Sequence, residues 1–121
     1  MSLDVSLYDK VALHKCAKCG EVEYEDEQVF TSNITHNLGE MASKAGIYYA
    51  LWRPEEVDIT TAKQLIEPLT EGLKRLKEEP EIYKKFNSDN GWGMYENFVP
   101  FVEEYLNACI EYPEATIYIS R

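Results

Sequence analysis

The sequence lacks long apolar runs, secretion signals and a large set of cysteines. No stretch approaches the roughly 20 consecutive apolar residues that a membrane-spanning helix needs. The first residues, MSLDVSLYDK, lack the basic segment followed by an apolar segment that marks a signal peptide. The chain has 3 cysteines, an odd number that fits a reducing compartment better than a disulfide scaffold. We therefore expect a cytoplasmic protein.

Basic residues are also scarce. The chain has 12 lysines and arginines against 22 aspartates and glutamates, so its formal net charge is −10 at pH 7. Such a charge repels nucleic-acid phosphates and anionic membranes. It attracts a basic protein surface, although a highly charged surface also serves solubility alone. We expect no direct contact with nucleic acid or with a membrane.

The motifs of several enzyme classes are missing. There is no glycine-rich phosphate loop of either standard spacing, and no Gly-x-Ser-x-Gly elbow. Acidic pairs occur in PEEVD, KEEPE and VEEY, but each is more simply a solvated helix face than a catalytic dyad. These absences favour a protein without catalytic activity, and metal-dependent hydrolysis is the remaining enzymatic alternative.

What is present indicates one globular domain spanning residues 1–121. A chain of 121 residues with 45% apolar residues can bury a core without help from disulfides. Leu3, Val5 and Leu7 alternate with polar residues, which predicts a strand with one buried face. EVEYEDEQVF predicts a second strand with a loop or bulge around 25–28, and ATIYIS predicts a closing strand. The first two strands would form a hairpin with two cysteines at its tip.

The segment between these strands has helical periodicity. DITTAKQLIEPLTEGLKRLKEE places leucines three and four residues apart, and MYENFVPFVEEYLNACIEY has a similar apolar stripe. Pro68 and Pro100 imply either a kink or helices that begin only near Glu67 and Asn97. The order of elements predicts an α+β fold: a small antiparallel sheet, made of the N-terminal hairpin and the C-terminal strand, with three to four helices packed on one face.

The stretch HKCAKCG has the chemistry of a metal knuckle. Two thiolates three residues apart, Cys16 and Cys19, converge on one ion, and the following glycine lets the backbone turn. His36 with either His14 or Cys109 would complete a tetrahedral zinc set, but the second close ligand pair typical of zinc motifs is missing. A redox pair is the weaker alternative, since the acidic residues that follow oppose a thiolate. The third interpretation is an ordinary hairpin tip whose cysteines are reduced and bind no metal.

Two other stretches are rich in rings, amides and cationic groups. The stretch IYYALWRP contains Tyr48 and, besides it, three residues that we interpret as ligand-binding. The stretch NSDNGWGMYENF contains three further candidate binding residues. Such groups recognise planar, phosphorylated or peptide ligands. In the alternative interpretation the tryptophans fill the core and the asparagines form turns. The candidate binding residues are Tyr49, Trp52, Arg53, Asn90, Trp92 and Tyr95.

NITHNLGEMASKAGIYYALWRPEE and the later NGWGMYENFVPFVEEYLNACIEYPEATIYISR resemble a family of small uncharacterised proteins encoded in phage and prophage genomes. The resemblance covers roughly the last three quarters of the chain and omits the cysteine hairpin. It implies a bacterial host cytoplasm and an accessory protein that binds something of the host. It implies no catalytic residues.

Three functions are therefore expected, in this order. The first is an acidic binding protein whose Glu23, Glu25 and Asp26 face a basic host protein, as a counter-defence or host-takeover factor. The second is a sponge for a nucleotide-like ligand, which would use Trp52, Arg53, Asn90 and Trp92. The third is an adaptor stabilised by a structural zinc ion; without it, no cofactor is expected.

Overall fold

The computed structural model describes most of the chain, namely residues 2–15, 22–87, 91 and 93–121. Within this part only the backbone is described for residues 10–15 and 22–26. The architecture is α+β, as the sequence predicts: a three-stranded antiparallel sheet carries helices on one face.

The sheet has the strand order β2-β1-β3, so the first strand lies at its centre. The strands are β1 (Ser2–Lys15), β2 (Val22–Thr35) and β3 (Thr116–Ser120). β1 and β2 form the predicted hairpin, and β3 pairs with the first part of β1, from Asp4 opposite Ser120 to Tyr8 opposite Thr116. The pairing of β3 was the part of the topology that the sequence left open.

Two irregularities interrupt the hairpin. Leu7 faces Phe30 but Tyr8 faces Gln28, so Val29 is an extra residue in β2. This bulge lies next to the predicted one, and the second falls between Ala12 and His14 of β1. Bulges bend an edge strand and make it a poorer template for pairing with another chain.

Past Tyr8 the sheet has only two strands. We call residues 9–15 and 22–27 the hairpin ribbon. Because side chains alternate between the faces of a strand, Glu23, Glu25 and Glu27 occupy one face of the ribbon, whereas Asp26 occupies the other, opposite Lys10. The ribbon therefore places acidic positions on both of its faces.

Five α-helices connect β2 to β3 in the described part of the chain, one more than the largest number expected. Gly46 divides the first helical region, because its φ of 81° is a conformation that ends a helix and suits glycine. Two short 3-10 helices, His36–Leu38 and Pro54–Val57, flank this region. The α-helices are α1 (Gly39–Lys44), α2 (Tyr48–Trp52), α3 (Ala62–Glu78), α4 (Pro80–Lys84) and α5 (Tyr95–Glu111).

Both internal prolines lie inside helices. The alternative in which the helices begin near Glu67 and Asn97 is wrong, because groups outside each helix satisfy its first turn. In α3 the N–H groups of Ala62 and Lys63 donate to the carbonyls of Ala115 and Pro113, each at 2.9 Å. In α5 the Tyr95 N–H donates to the Asn87 side-chain oxygen at 2.7 Å. These caps stabilise the turns that precede Pro68 and Pro100.

The core lies between the sheet and the two long helices, α3 and α5. Leu3, Val5 and Leu7 of β1 are fully buried and belong to the same core cluster as apolar residues of both helices. Fully burying one such side chain stabilises the fold by roughly 1.5–3 kcal/mol. α3 and α5 contribute Leu65, Leu69, Leu73, Leu76, Phe98, Phe101, Val102, Tyr105 and Cys109.

Candidate functional site

A cleft of about 570 Å³ lies beside α1 and α2, a volume in the range of small-molecule sites. It is formed by residues from four parts of the chain: the turn after β2, α1, the end of α2 and the residue that follows β3. Its lining residues are His36, Gly39, Glu40, Ser43, Tyr48, Trp52, Arg53 and Arg121.

Local sequence signals bring these parts together. Thr35 ends β2 and caps the turn that follows, because its side-chain oxygen accepts a hydrogen bond from the Asn37 N–H at 3.3 Å. The left-handed Gly46 then reverses the chain between α1 and α2. Pro54 follows Arg53, which leaves the helical region with a ψ of 54°. Arg53 is thereby held at the rim of the cleft.

Aromatic rings form the wall of the cleft. Tyr48 stacks on Trp52 with ring centroids 5.5 Å apart and an interplanar angle of 14°. The Trp52 Nε1–H donates to His36 Nδ1 at 2.9 Å. Trp52 is only 3% exposed, so the indole supports the wall and Tyr48, which is half-buried, presents a ring edge or face to the cleft.

The first cation of the cleft is Arg53. Its Nη1 donates to Glu56 Oε2 at 3.0 Å. A hydrogen bond to Tyr48 and, after it, the bond to Glu56 raise the pKa of Arg53 further above its usual value. The guanidinium is thus fixed beside the aromatic wall.

The second cation is Arg121. Its Nη1 donates to the Trp52 carbonyl and to Glu55 Oε1, each at 2.6 Å. The same contact lowers the pKa of the Glu55 carboxyl, since the bonded cation favours the ionised form. A guanidinium has five N–H donors, and these described bonds of Arg121 use one nitrogen. Arg121 and Arg53 therefore both retain donor capacity for an anion.

Residues predicted from sequence are distributed over several places. Trp52 and Arg53 line the cleft. Tyr49, at 52% exposure, packs edge-on against Tyr48 and points to solvent outside the cleft. Tyr95 lies elsewhere, where its hydroxyl donates to the Leu76 carbonyl at 2.6 Å and so ties α5 to α3.

Other residues predicted from the sequence lie outside the described residues or in segments where only the backbone is described. Cys16, Cys19, Asn90 and Trp92 lie outside the described residues. Glu23, Glu25 and Asp26 lie in β2, within the hairpin ribbon. A second depression, of about 350 Å³, runs between β2 and the start of α5 and includes Gly91 and Gly93, which flank Trp92.

The topology also bears on the proposed zinc set. His36 follows one end of β2, whereas Val22 and Lys15 at the other end flank the segment that contains both cysteines. A strand of 14 residues separates these ends, which at about 3.3 Å per residue is roughly 40 Å. Both cysteines lie outside the described residues, so the zinc set of Cys16, Cys19 and His36 stays a prediction.

Cys109, the alternative fourth ligand, is a buried thiol of α5. Burial raises its pKa to about 12, so the thiolate that a metal requires is disfavoured. Within the described residues no group of three or more His, Cys, Asp or Glu side chains is arranged to hold a metal ion.

Arg121 is the cleft residue that the sequence analysis missed. It lies far along the chain from His36 and Arg53, and it reaches them only because β3 pairs with β1. No local motif marks it. The scarcity of arginine, with three in the whole chain, is the one signal that singles it out.

Comparisons with known proteins give no relatives: no family model, no curated protein and no solved structure matches this chain. The resemblance to phage proteins therefore stays a prediction. No helix within the described ranges combines the length and the apolar character needed to cross a bilayer.

Proposed function

We propose that this protein binds, without transforming it, a small anionic ligand with a flat ring, such as a nucleotide. The observation that carries the proposal is the pairing of Arg53 with Arg121 in one cleft. Two of the three arginines of a chain with a net charge of −10 line the same 570 Å³ space, beside the Tyr48 ring and His36. A protein whose overall field repels anions needs such local cations to hold one.

The chemistry of the lining suits a nucleotide in two respects. Guanidinium groups bind phosphate oxygens through planar pairs of N–H donors. An aromatic face such as Tyr48, itself supported by stacking on Trp52, offers a surface for a base. Arg53 directly follows α2, the short helix that begins with Tyr48, so phosphate and base would be held by neighbouring residues of one segment.

Thermal unfolding with a panel of adenine and guanine 5′-phosphates tests the proposal. A ligand at one hundred times its Kd stabilises the native state by about 2.7 kcal/mol, which raises the midpoint of unfolding. Arg53→Gln and Arg121→Gln should each weaken binding at least about tenfold, because a charged hydrogen bond is lost. Lys63→Gln, which removes an exposed cation away from the cleft, is the matched control.

Two results would contradict the proposal. One is an unchanged midpoint across the whole panel at millimolar ligand. The other is a shift that survives both arginine substitutions while circular dichroism shows that the variants remain folded.

A second candidate function is docking to a basic host protein, as a phage-encoded accessory factor would do. The hairpin ribbon favours it, since this two-stranded extension carries Glu23, Glu25 and Asp26 beyond the three-stranded sheet. Charge attraction of this kind is screened by salt. We expect a complex in bacterial lysate that weakens between low and high salt.

Charge reversal distinguishes docking from nonspecific attraction. Changing Glu23, Glu25 and Asp26 to lysine should abolish capture of the partner. Glu67, Glu71 and Glu78 on the exposed side of α3, changed to lysine together, alter the net charge equally and should leave capture intact. Equal effects of the two triple variants would refute the ribbon as the docking surface.

A further inference from the structure

The cleft does not end at the residues around Arg53 and Arg121. A neighbouring depression of about 360 Å³ is lined by Glu40, Ser43, Lys44 and Phe86. Glu40 and Ser43 line both spaces, so the two are neighbours on the exposed side of α1. We call the two depressions together the α1 groove.

The two ends of the α1 groove carry similar chemical groups. At one end lie the cations Arg53 and Arg121 with the Tyr48 ring, and at the other end lie the cation Lys44 and the Phe86 ring. The middle holds a carboxylate, Glu40, and a hydroxyl, Ser43. Each end of the groove therefore has a cation and an aromatic ring. The Ser43 hydroxyl and the Glu40 carboxylate lie between the two ends.

The middle of the groove decides which ligand fits. A carboxylate accepts hydrogen bonds and repels a phosphate, so Glu40 selects hydroxyl groups of the ligand. Sugar hydroxyls are the donors that a nucleotide offers at its centre. The ends of the groove, by contrast, attract phosphates through Arg53, Arg121 and Lys44.

We propose that the α1 groove binds a nucleotide with phosphates on both sides of its sugar, a nucleoside 3′,5′-bisphosphate. One phosphate contacts Arg53 and Arg121, the 2′-hydroxyl donates to Glu40, and the other phosphate contacts Lys44. This inference rests on the proposed function and adds the class of nucleotide to it.

Calorimetric titration with matched adenosine phosphates tests the inference. The 3′,5′-bisphosphate should bind at least about tenfold more tightly than the 5′-monophosphate, since one further charged contact contributes about 1.4 kcal/mol. Lys44→Gln should remove this gain, so that the bisphosphate and the 5′-monophosphate bind with similar Kd. Lys63→Gln is again the matched control and should alter neither Kd.

Binding of a 2′-deoxy ligand tests the role of Glu40 separately. The 2′-deoxy form of the bisphosphate should bind several-fold more weakly than the ribose form to the natural protein. With Glu40→Ala the two forms should bind equally, because the acceptor of the 2′-hydroxyl is gone. Pyrophosphate, which has no sugar, should bind more weakly than the bisphosphate.

The outcomes separate the two proposals. A measurable Kd for the 5′-monophosphate with no gain for the bisphosphate overturns this inference and leaves the proposed function standing. Pyrophosphate binding as tight as that of the bisphosphate also overturns it. Binding of neither nucleotide overturns both proposals, whereas a gain that Lys44→Gln removes supports both.

Discussion

The Trp52 indole N–H donates a 2.9 Å hydrogen bond to Nδ1 of His36. Because Nδ1 accepts, the neutral imidazole carries its own proton on Nε2. The bond joins the turn after β2 to the end of α2, and the two rings lie 6.3 Å apart. This hydrogen bond therefore joins two segments that form one side of the cleft.

A double-mutant cycle measures this contact. Trp52→Phe leaves Nδ1 of the part-buried His36 without its donor. His36→Phe leaves the indole N–H of Trp52, which is only 3% exposed, without its acceptor. Each single change should destabilise the fold, and the double variant should be less destabilised than the sum. We expect a coupling free energy of about 0.5–1.5 kcal/mol from urea unfolding. Simple additivity would show that the bond contributes nothing.

Gly72 lies in the middle of α3 because Ile47 approaches it closely. A β-carbon at residue 72 would clash with Cγ2 of Ile47. Gly72→Ala should therefore destabilise the protein by about 1–3 kcal/mol, although alanine favours helices over glycine. Adding Ile47→Ala removes the clashing methyl group, so the double variant should be less destabilised than the two single losses together. Chemical unfolding gives all three values.

The control for that substitution is Gly39, in the first turn of α1. Its φ of −56° is helical, and a β-carbon there would make an ordinary 3.7 Å contact with Tyr48. Gly39→Ala should be neutral or stabilising by up to about 1 kcal/mol. A loss of stability at Gly39 comparable to that at Gly72 would contradict the role given to Ile47.

The hydroxyl groups of Tyr105 and Tyr95 differ in their hydrogen bonding, so we expect their removal to have different effects on stability. The Tyr105 hydroxyl is buried and has no hydrogen-bond partner among the described residues, and burial raises its pKa strongly. The Tyr95 hydroxyl donates to the Leu76 carbonyl at 2.6 Å. Tyr105→Phe should be neutral or stabilising, and Tyr95→Phe should destabilise by about 1 kcal/mol. Thermal unfolding of both variants gives the comparison, and a marked loss with Tyr105→Phe would reveal a partner for its hydroxyl.

The ion pair between Glu55 and Arg121 predicts a pH dependence. Arg121 lowers the pKa of Glu55 below its ordinary value of 4.5, so the pair stabilises the fold fully above that pH. The contribution disappears as the pH falls through the lowered pKa of the folded state. The difference in unfolding midpoint between the natural protein and Glu55→Gln should therefore shrink from pH 6 to pH 3. Arg121→Gln should show the same trend, and a difference independent of pH would contradict it.

Local signals in the sequence predicted most of the elements. Alternation at Leu3, Val5 and Leu7 located β1, and apolar residues three and four apart located α3 and α5, because each signal acts over a few residues. The bulge at Val29 lies just beyond the predicted range. The starts of α3 and α5 were left open by the sequence, since partners from other parts of the fold satisfy their first turns: the Ala115 and Pro113 carbonyls for α3 and the Asn87 side chain for α5.

The candidate site was only partly predictable for the same reason. Arg53, Trp52 and Tyr48 are neighbours in the chain, so their association is local. Arg121 joins them through the pairing of β3 with β1, which depends on the whole topology. The burial of Trp52 and the exposure of Tyr49 follow from how α2 packs, and periodicity over five residues cannot determine it.

The pairing of Asp4 with Ser120 has a consequence for how the molecule is made. The helices α1 to α5 all lie between these two residues along the chain, so the central strand acquires its second neighbour only after those helices have been synthesised. Contacts of such large sequence separation slow folding. One side of β1 therefore stays unpaired while the helices emerge from the ribosome, and the cleft is complete only after β3 has docked.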